Sequence, residues 1–235
     1  MNENARWPIG TLMHRLPPRA RNELLAILTP AREFKTGEIL IRQGDEGLFV
    51  YLLRAKREGR PACVKVTAQL DNGSETLLAV RIHGDLVGEM SVLRGVPRNA
   101  TVTACADTLA YAITKDTFRA YLTRCPEAWA YLYDALAGRL EWSNLRRQEF
   151  GSFPVPVRLA RVMLDLANRH GIAHPDGLDL GVRLSQMELG LLIGAREDAV
   201  SQAMRQLREA GLAAPRYRSV VITDRVALAS FASAV

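Results

Sequence analysis

The sequence predicts an α+β chain in three parts: an antiparallel β-roll, then one long helix, then a small helical unit closed by a two-stranded hairpin. Three patterns predict it. Over residues 31–114, short β-branched and aromatic runs alternate with Gly and Asp turns. Over 126–150, apolar residues recur at spacings of four and three. Beyond 156, further helical patterns precede two short extended runs around a basic tip. The 235 residues suffice for two modest domains, each with its own core. The expected divisions are 1–125 for the roll, 126–150 for the long helix and 151–235 for the helical unit.

Residues 10–30 read as helix, with Leu12, Leu16, Leu24, Leu25 and Leu28 at helical spacing, interrupted by Pro17-Pro18 and ended by Thr29-Pro30. The roll follows. Its strands are expected at Glu38–Ile41, Phe49–Leu53, Cys63–Val66, Thr76–Val80, Ala100–Ala104 and Leu109–Ile113, with Asp71-Asn72-Gly73 a good hairpin tip. Arg54 to Arg60 is polar and basic and reads as a surface loop. The long helix starts at Pro126, a favoured first helical residue. Trp129, Tyr133, Leu136, Leu140, Ser143 and Arg147 form a heptad seam, apolar first and polar at its end. Periodicity supports two readings equally: a seam against a second copy, or packing on its own domain. Gly151 to Pro156 breaks the helix, residues 157–169 are helical again, Gly171 stops them, and Asp176–Val182 is a loop with short extended pieces.

Ser185-Gln186-Met187-Glu188 is a capping box opening a helix through Leu189, Leu192 and Ile193, and Gly194 supplies a left-handed turn residue. A second helix runs from about Arg196 to Ala210, with Val200, Met204 and Leu207 inward, and Gly211 closes it. Two short helices around a Gly turn are a helix-turn-helix, whose second helix enters the DNA major groove. Leu212–Ala214 and Val220–Ile222 flank Pro215-Arg216-Tyr217-Arg218-Ser219 as a two-strand wing. A plain helical hairpin is the alternative. Against it stands the outward face of the second helix, with Arg196, Glu197, Asp198, Ser201, Gln202 and Arg205, and a wing that sets Arg216 and Arg218 where phosphates would lie.

Bulk composition agrees with an anionic partner only weakly. The net charge is +6, of which residues 151–235 carry +2. No apolar run approaches a membrane span, and Met1–Arg6 lacks the apolar core of a signal peptide, so a cytoplasmic place and reduced cysteines are expected. Cys63, Cys105 and Cys125 are scattered and read as small buried hydrophobes, with no metal site. His83 sits in a Gly-flanked turn, and His170 and His174 read as loop residues; none suits a haem. No Ser/His/Asp or Cys/His set suggests catalysis, and no obligatory cofactor is expected.

Gly88-Glu89 is followed, nine residues after Glu89, by Arg98. An arginine fork binds a cyclic phosphate bidentately, N–H groups near Glu89-Met90 add donors, and a carboxylate suits a ribose hydroxyl. A Glu and an Arg at such spacing are more often a structural ion pair. Three stretches, Gly37–Asp45, Gly84–Met90 and Pro97–Val102, resemble the landmarks of cyclic-nucleotide-binding domains. With the long helix and winged helix-turn-helix they resemble the Crp-Fnr superfamily of bacterial regulators over roughly residues 10–230.

That resemblance implies a β-roll of the cyclic-nucleotide-binding type, a long dimerisation helix and a winged helix-turn-helix. It implies that Gly88 and Glu89 face the ribose and Arg98 the cyclic phosphate, with Met90 in the same binding set. Asn99 stands where Ser or Thr is common in the cyclic-AMP-responsive members. Ser143 and Asn144 are placed where a polar pair on the dimer helix reaches the purine. It also implies a homodimer through Trp129, Tyr133, Leu136 and Leu140, double-stranded DNA held by Ser185 and the two helices, and RNA polymerase as partner if the protein activates. Arg54–Pro61 looks like an insertion between two strands of the roll. The recognition helix opens Ala195-Arg196-Glu197-Asp198 where many relatives have a Ser cap followed by Arg-Glu. The expected function is a ligand-responsive transcription regulator, with cyclic AMP the first effector. An orphan or cyclic-dinucleotide-responsive regulator is the alternative, followed by a nucleotide-sensing module acting only through proteins.

Overall fold

The computed structural model describes residues 7–56 and 62–233, in two compact units, Met1–Leu140 and Glu141–Val235. Met1–Arg6 therefore lies outside the described residues, as do residues 57–61 of the expected insertion. Among the described residues no helix is long and apolar enough to cross a membrane.

The first unit opens with α1 (Leu12–Arg15) and α2 (Pro18–Ala26). Thr11 caps α1 by accepting from the His14 backbone, and Pro18 is the first residue of α2, where a missing N–H costs nothing. Buried Arg21 donates to the carbonyls of Met13 (2.8 Å) and Leu16 (2.6 Å), closing the corner between the helices. There follow β1 (Arg32–Phe34), β2 (Ile39–Ile41), β3 (Phe49–Ala55), β4 (Cys63–Gln69), β5 (Glu75–Ile82), β6 (Leu86–Val87), α3 (Glu89–Arg94), β7 (Thr101–Ala104), β8 (Thr108–Thr114), α4 (Lys115–Arg124) and α5 (Glu127–Ser152). Two four-stranded sheets form, β1-β8-β3-β6 and β2-β7-β4-β5, and every strand pair in them is antiparallel. Strand β3 shows how they are filled. Val50 and Leu52 join Leu86, Ile113, Phe118, Tyr121 and Leu132 in a core with the helices. Leu53, with half-buried Tyr51 beside it, joins Leu40, Ile41, Val64, Val87 and Val102 in a core of strand residues. The two-residue alternation of a strand feeds both.

Two expectations are corrected here. Arg54 does not begin a polar loop: Arg54 and Ala55 extend β3, paired with Leu109 and Thr108. The Arg54 guanidinium lies 5.2 Å from the Trp7 ring and 5.8 Å from that of Tyr111, so aromatic faces hold a cation that composition alone assigned to solvent. Helix α4 was not foreseen, although Thr114 caps it and Phe118, Tyr121 and Leu122 mark its buried side. His83 is structural: its ring stacks on Trp7 at 4.7 Å and its Nδ1 accepts from the Ala55 N–H.

The second unit holds the end of α5, then α6 (Val155–His170), β9 (Ile172–His174), β10 (Gly177–Asp179), α7 (Gln186–Ile193), α8 (Glu197–Glu209), β11 (Ala213–Arg216), β12 (Ser219–Ile222) and α9 (Arg225–Ser233). The strands form one antiparallel sheet, β11-β12-β10-β9. The break after α5 is narrower than expected, because Gly151 and Ser152 stay helical and the chain turns at Phe153-Pro154. A glycine costs a helix only about 1 kcal/mol, whereas proline removes a donor and clashes with the preceding turn. His170 ends α6 and His174 lies on β9, so neither is a loop residue. Helix α9 also was not foreseen.

The end of α5 is bonded to α6 within this unit. Trp142 Nε1 donates to Asp165, and the buried Glu149 carboxylate meets Arg146 at 2.9 Å and Arg161 at 3.4 Å. Arg161 also stacks over Phe153 at 3.7 Å.

Candidate functional site

Strand β6 pairs with β3 through Tyr51↔Val87 and Leu52↔Leu86, which brings the chain after Val87 beside Phe49. There Gly88 adopts φ +84° as the N-cap of α3, a six-residue helix. A Cβ at Gly88 would stand 2.6 Å from Arg98 Nη1 and 3.1 Å from the Phe49 carbonyl, so both the backbone and the space require glycine. Arg98 is fixed by its own backbone: its N–H donates to Asp45 O (2.8 Å) and its carbonyl accepts from Gly44 N–H (2.9 Å).

The guanidinium of Arg98 reaches under Gly88. Nη1 donates to Gly88 O and to Ser91 Oγ, both at 2.7 Å, and Nη2 donates to Phe49 O at 2.5 Å. The residue is only 6% exposed, and among the described residues no carboxylate lies within ion-pair distance of it. Burial accordingly pulls its pKa below the usual arginine value, partly opposed by Tyr51, Glu89 and Asp45. It remains a cation, since arginine does not lose its proton in proteins. Those bonds use three of its five N–H groups, leaving Nε–H and one Nη2 proton without a partner among the described residues. A desolvated cation with two open, coplanar donors is suited to an anionic oxygen pair.

Glu89 and Arg98 do not form the ion pair that spacing allowed. Glu89 is buried and paired instead with Arg139 of α5, which also donates to Leu86 O at 3.1 Å. Sequence reasoning missed Arg139, 50 residues away along the chain. It also missed Ser91 and the Phe49 carbonyl. The signal for Arg139 was a basic residue inside a mostly apolar helix segment. Met90 and Asn99 are exposed, and the Asn99 side chain has no bond among the described residues. Ser143, half-buried, accepts weakly from Arg147, and Asn144 is exposed; both belong to the second compact unit.

Along α5 the two readings of the seam divide the residues between them. Ala128 and Leu132 are buried in the roll's core, with Ala135 and Leu136 packed against it. Trp129, Tyr133 and Leu140 are 47%, 73% and 59% exposed. Leu136 thus lies on the intramolecular side and the other three on an open apolar stripe.

In the second unit the capping box is present: Ser185 Oγ accepts from Glu188 N–H (3.1 Å) and Ser185 N–H donates to Glu188 Oε2 (2.7 Å). Gly194 ends α7 at φ +62°, and a Cβ there would meet the Phe150 ring at 3.2 Å. Arg158 of α6 donates to Ile193 O and holds that turn. Arg196 is the N-cap of α8. Val200, Ala203, Met204 and Leu207 are buried, while Arg196, Glu197, Asp198, Gln202 and Arg205 are exposed and Ser201 is half-exposed. The wing is tighter than expected, a two-residue Tyr217-Arg218 turn between paired Arg216 and Ser219. Its arginines differ. Arg216 is exposed and paired with exposed Asp176 at 3.0 Å. Arg218, at φ +51°, turns inward to Glu188 at 3.6 Å. Tyr217 stands out at the tip, 91% exposed.

The family of cyclic nucleotide-binding domains matches residues 31–125, and the Crp-like helix-turn-helix domain matches residues 157–231. The chain is 28% identical over 212 residues to the CRP-like cAMP-activated global transcriptional regulator of Mycobacterium tuberculosis, covering 90% of this chain and 92% of that protein. It is 27% identical over 201 residues to the cyclic AMP receptor protein of Thermus thermophilus, covering 86% and 87%. Its fold is similar to that of the c-di-GMP responsive global regulator CLP of Xanthomonas campestris, with a TM-score of 0.71 and 20% identity over 88% of this chain and all of that one. With both domains in this order across most of its length, the chain belongs to the Crp-Fnr superfamily of transcription regulators, which join a cyclic nucleotide-binding domain to a Crp-like helix-turn-helix.

Proposed function

We propose that this protein is a ligand-responsive, sequence-specific DNA-binding regulator that works as a homodimer and takes a cyclic nucleotide, cyclic AMP first, in its roll. One observation carries the effector assignment: Arg98 is a buried cation whose protein partners are neutral oxygens, with two N–H donors left over. A buried charge is ordinarily paired, and this one keeps two donors open. Here the missing anion is the ligand's phosphate. Cyclic-AMP activation of the Mycobacterium tuberculosis relative supports the same choice. Helix α8 with the wing would hold DNA, with RNA polymerase as a further partner in activation.

A second reading has its own observation. One oxygen of the Glu89 carboxylate is already bonded to Arg139, which leaves the other for a ribose hydroxyl. On that reading a cyclic dinucleotide would meet Arg98 through a phosphate and leave Glu89 to Arg139. Calorimetry of the full chain with cyclic AMP, cyclic GMP and a cyclic dinucleotide separates the two. Cyclic AMP should bind, and Arg98→Ala should weaken it by at least about tenfold through loss of charge-assisted bonds. Heat with the dinucleotide and none with millimolar cyclic AMP or GMP would establish the second reading.

A further inference from the structure

We infer that α8 reads base amino groups rather than guanine: Glu197 and Asp198 face cytosine, and Gln202 faces adenine. The inference rests on the DNA-binding reading above and specifies its target. Base edges are met by the leading residues of a recognition helix. The exposed or half-exposed residues over the first two turns of α8 are Ala199 and four polar ones, Glu197, Asp198, Ser201 and Gln202, the four spanning about 7.5 Å of helix axis. None is a guanidinium or ammonium. The flanking cations are Arg196, at the N-cap outside the helix, and Arg205, three residues beyond Gln202.

The groove chemistry then decides the partners. Guanine offers only acceptors in the major groove, N7 and O6, and its usual reader is the arginine fork. A carboxylate has only acceptors, so against guanine or the thymine O4 it is repelled as well as unbonded. It can face only the cytosine N4 or adenine N6 amino group. Gln202 carries one acceptor and one donor group, the pair that matches adenine N6 and N7. One Asp198 oxygen already accepts from the Ala199 N–H at 2.8 Å, which orients that side chain. Glu197 is exposed and has no bond among the described residues, so its carboxylate is the freer reader.

First-turn acids also stabilise a helix by facing its positive end. That role predicts changes in stability with no change in base preference, and the two are separable. Bound duplexes are selected from a random library by the wild type and by Glu197→Ala, and melting of both proteins is followed. The wild type should enrich a half-site with cytosine at the position that Glu197→Ala relaxes. Replacing that cytosine by pyrimidin-2-one, which lacks the 4-amino group, should weaken binding by about fivefold or more, while 7-deazaguanine in the half-site should change it by less than about twofold. A large loss with 7-deazaguanine, or an unchanged preference in Glu197→Ala with only lowered melting, overturns the inference and leaves DNA binding standing. Failure of any sequence to be enriched above non-specific binding overturns the DNA-binding reading itself.

Discussion

At Gly88 a single hydrogen in place of a side chain holds the pocket together. The residue sits at φ +84°, and the space a Cβ would fill is occupied by Arg98 Nη1 at 2.6 Å and Ile41 Cδ1 at 2.9 Å. Alanine there must strain the backbone and push the guanidinium off the Gly88 carbonyl. Gly88→Ala should therefore lower stability by about 1–3 kcal/mol, read as a reduced denaturation midpoint, and should weaken cyclic AMP binding in the same calorimetric titration. Unchanged stability would mean that Arg98 is not held against this backbone. Arg98 and Glu89 also show what residue spacing leaves undecided. Two groups nine residues apart could have paired with each other, yet Arg98 met the distant Phe49 carbonyl and Glu89 met Arg139.

Among the elements, the wing separates two arginines that look alike in sequence. Arg216 is held by an exposed pair with Asp176, which water and salt weaken, and by a long bond to the Pro215 carbonyl. Arg218 is committed to Glu188, a nearly buried carboxylate that also closes the capping box of α7. Arg216→Ala should flatten the dependence of log affinity on log salt by about one unit, as loss of one phosphate contact does. Arg218→Ala should leave that slope nearly unchanged and lower the melting temperature, because it removes the tie between wing and capping box. Binding assays across a salt series, with melting curves of both variants, check this pair. Equal slopes in both variants would show that Arg218 leaves Glu188 for the phosphate.

For the molecule as a whole, α5 is the element through which two copies are proposed to assemble. Its Leu132 side is buried in the roll, while Trp129, Tyr133 and Leu140 present an apolar stripe to solvent. Such a stripe on an otherwise mixed helix fits a partner's matching face, and a homodimer through it is the proposal. Tyr133→Glu with Leu140→Glu should leave the chain folded, since both side chains are already exposed, and should convert dimers to monomers in sedimentation velocity at micromolar concentration. Leu136→Glu is the contrasting change. It enters the side packed on the roll and should lower stability as well as association. A dimer that survives the double substitution would place the contact elsewhere.

The sequence by itself determined the order of parts and most of their edges, because those are local matters. Alternation marked the strands from Phe49 to Ile113, the Ser185–Glu188 box set the start of α7, and Gly194 set its end. Elements too short for a period, such as β1 and β6, were invisible, and α4 followed its strand without a break. The motif around Gly88 and Arg98 was legible as a resemblance, but its chemistry was not. Only the tertiary structure showed that Arg98 is buried against neutral oxygens, that Arg139 holds Glu89, that Leu136 turns to the roll while Tyr133 turns outward, and that Arg218 folds inward. Each depends on groups distant in sequence meeting at a few ångströms. Local patterning sets which face of an element is apolar, and the packing of whole elements decides which charged group finds which partner.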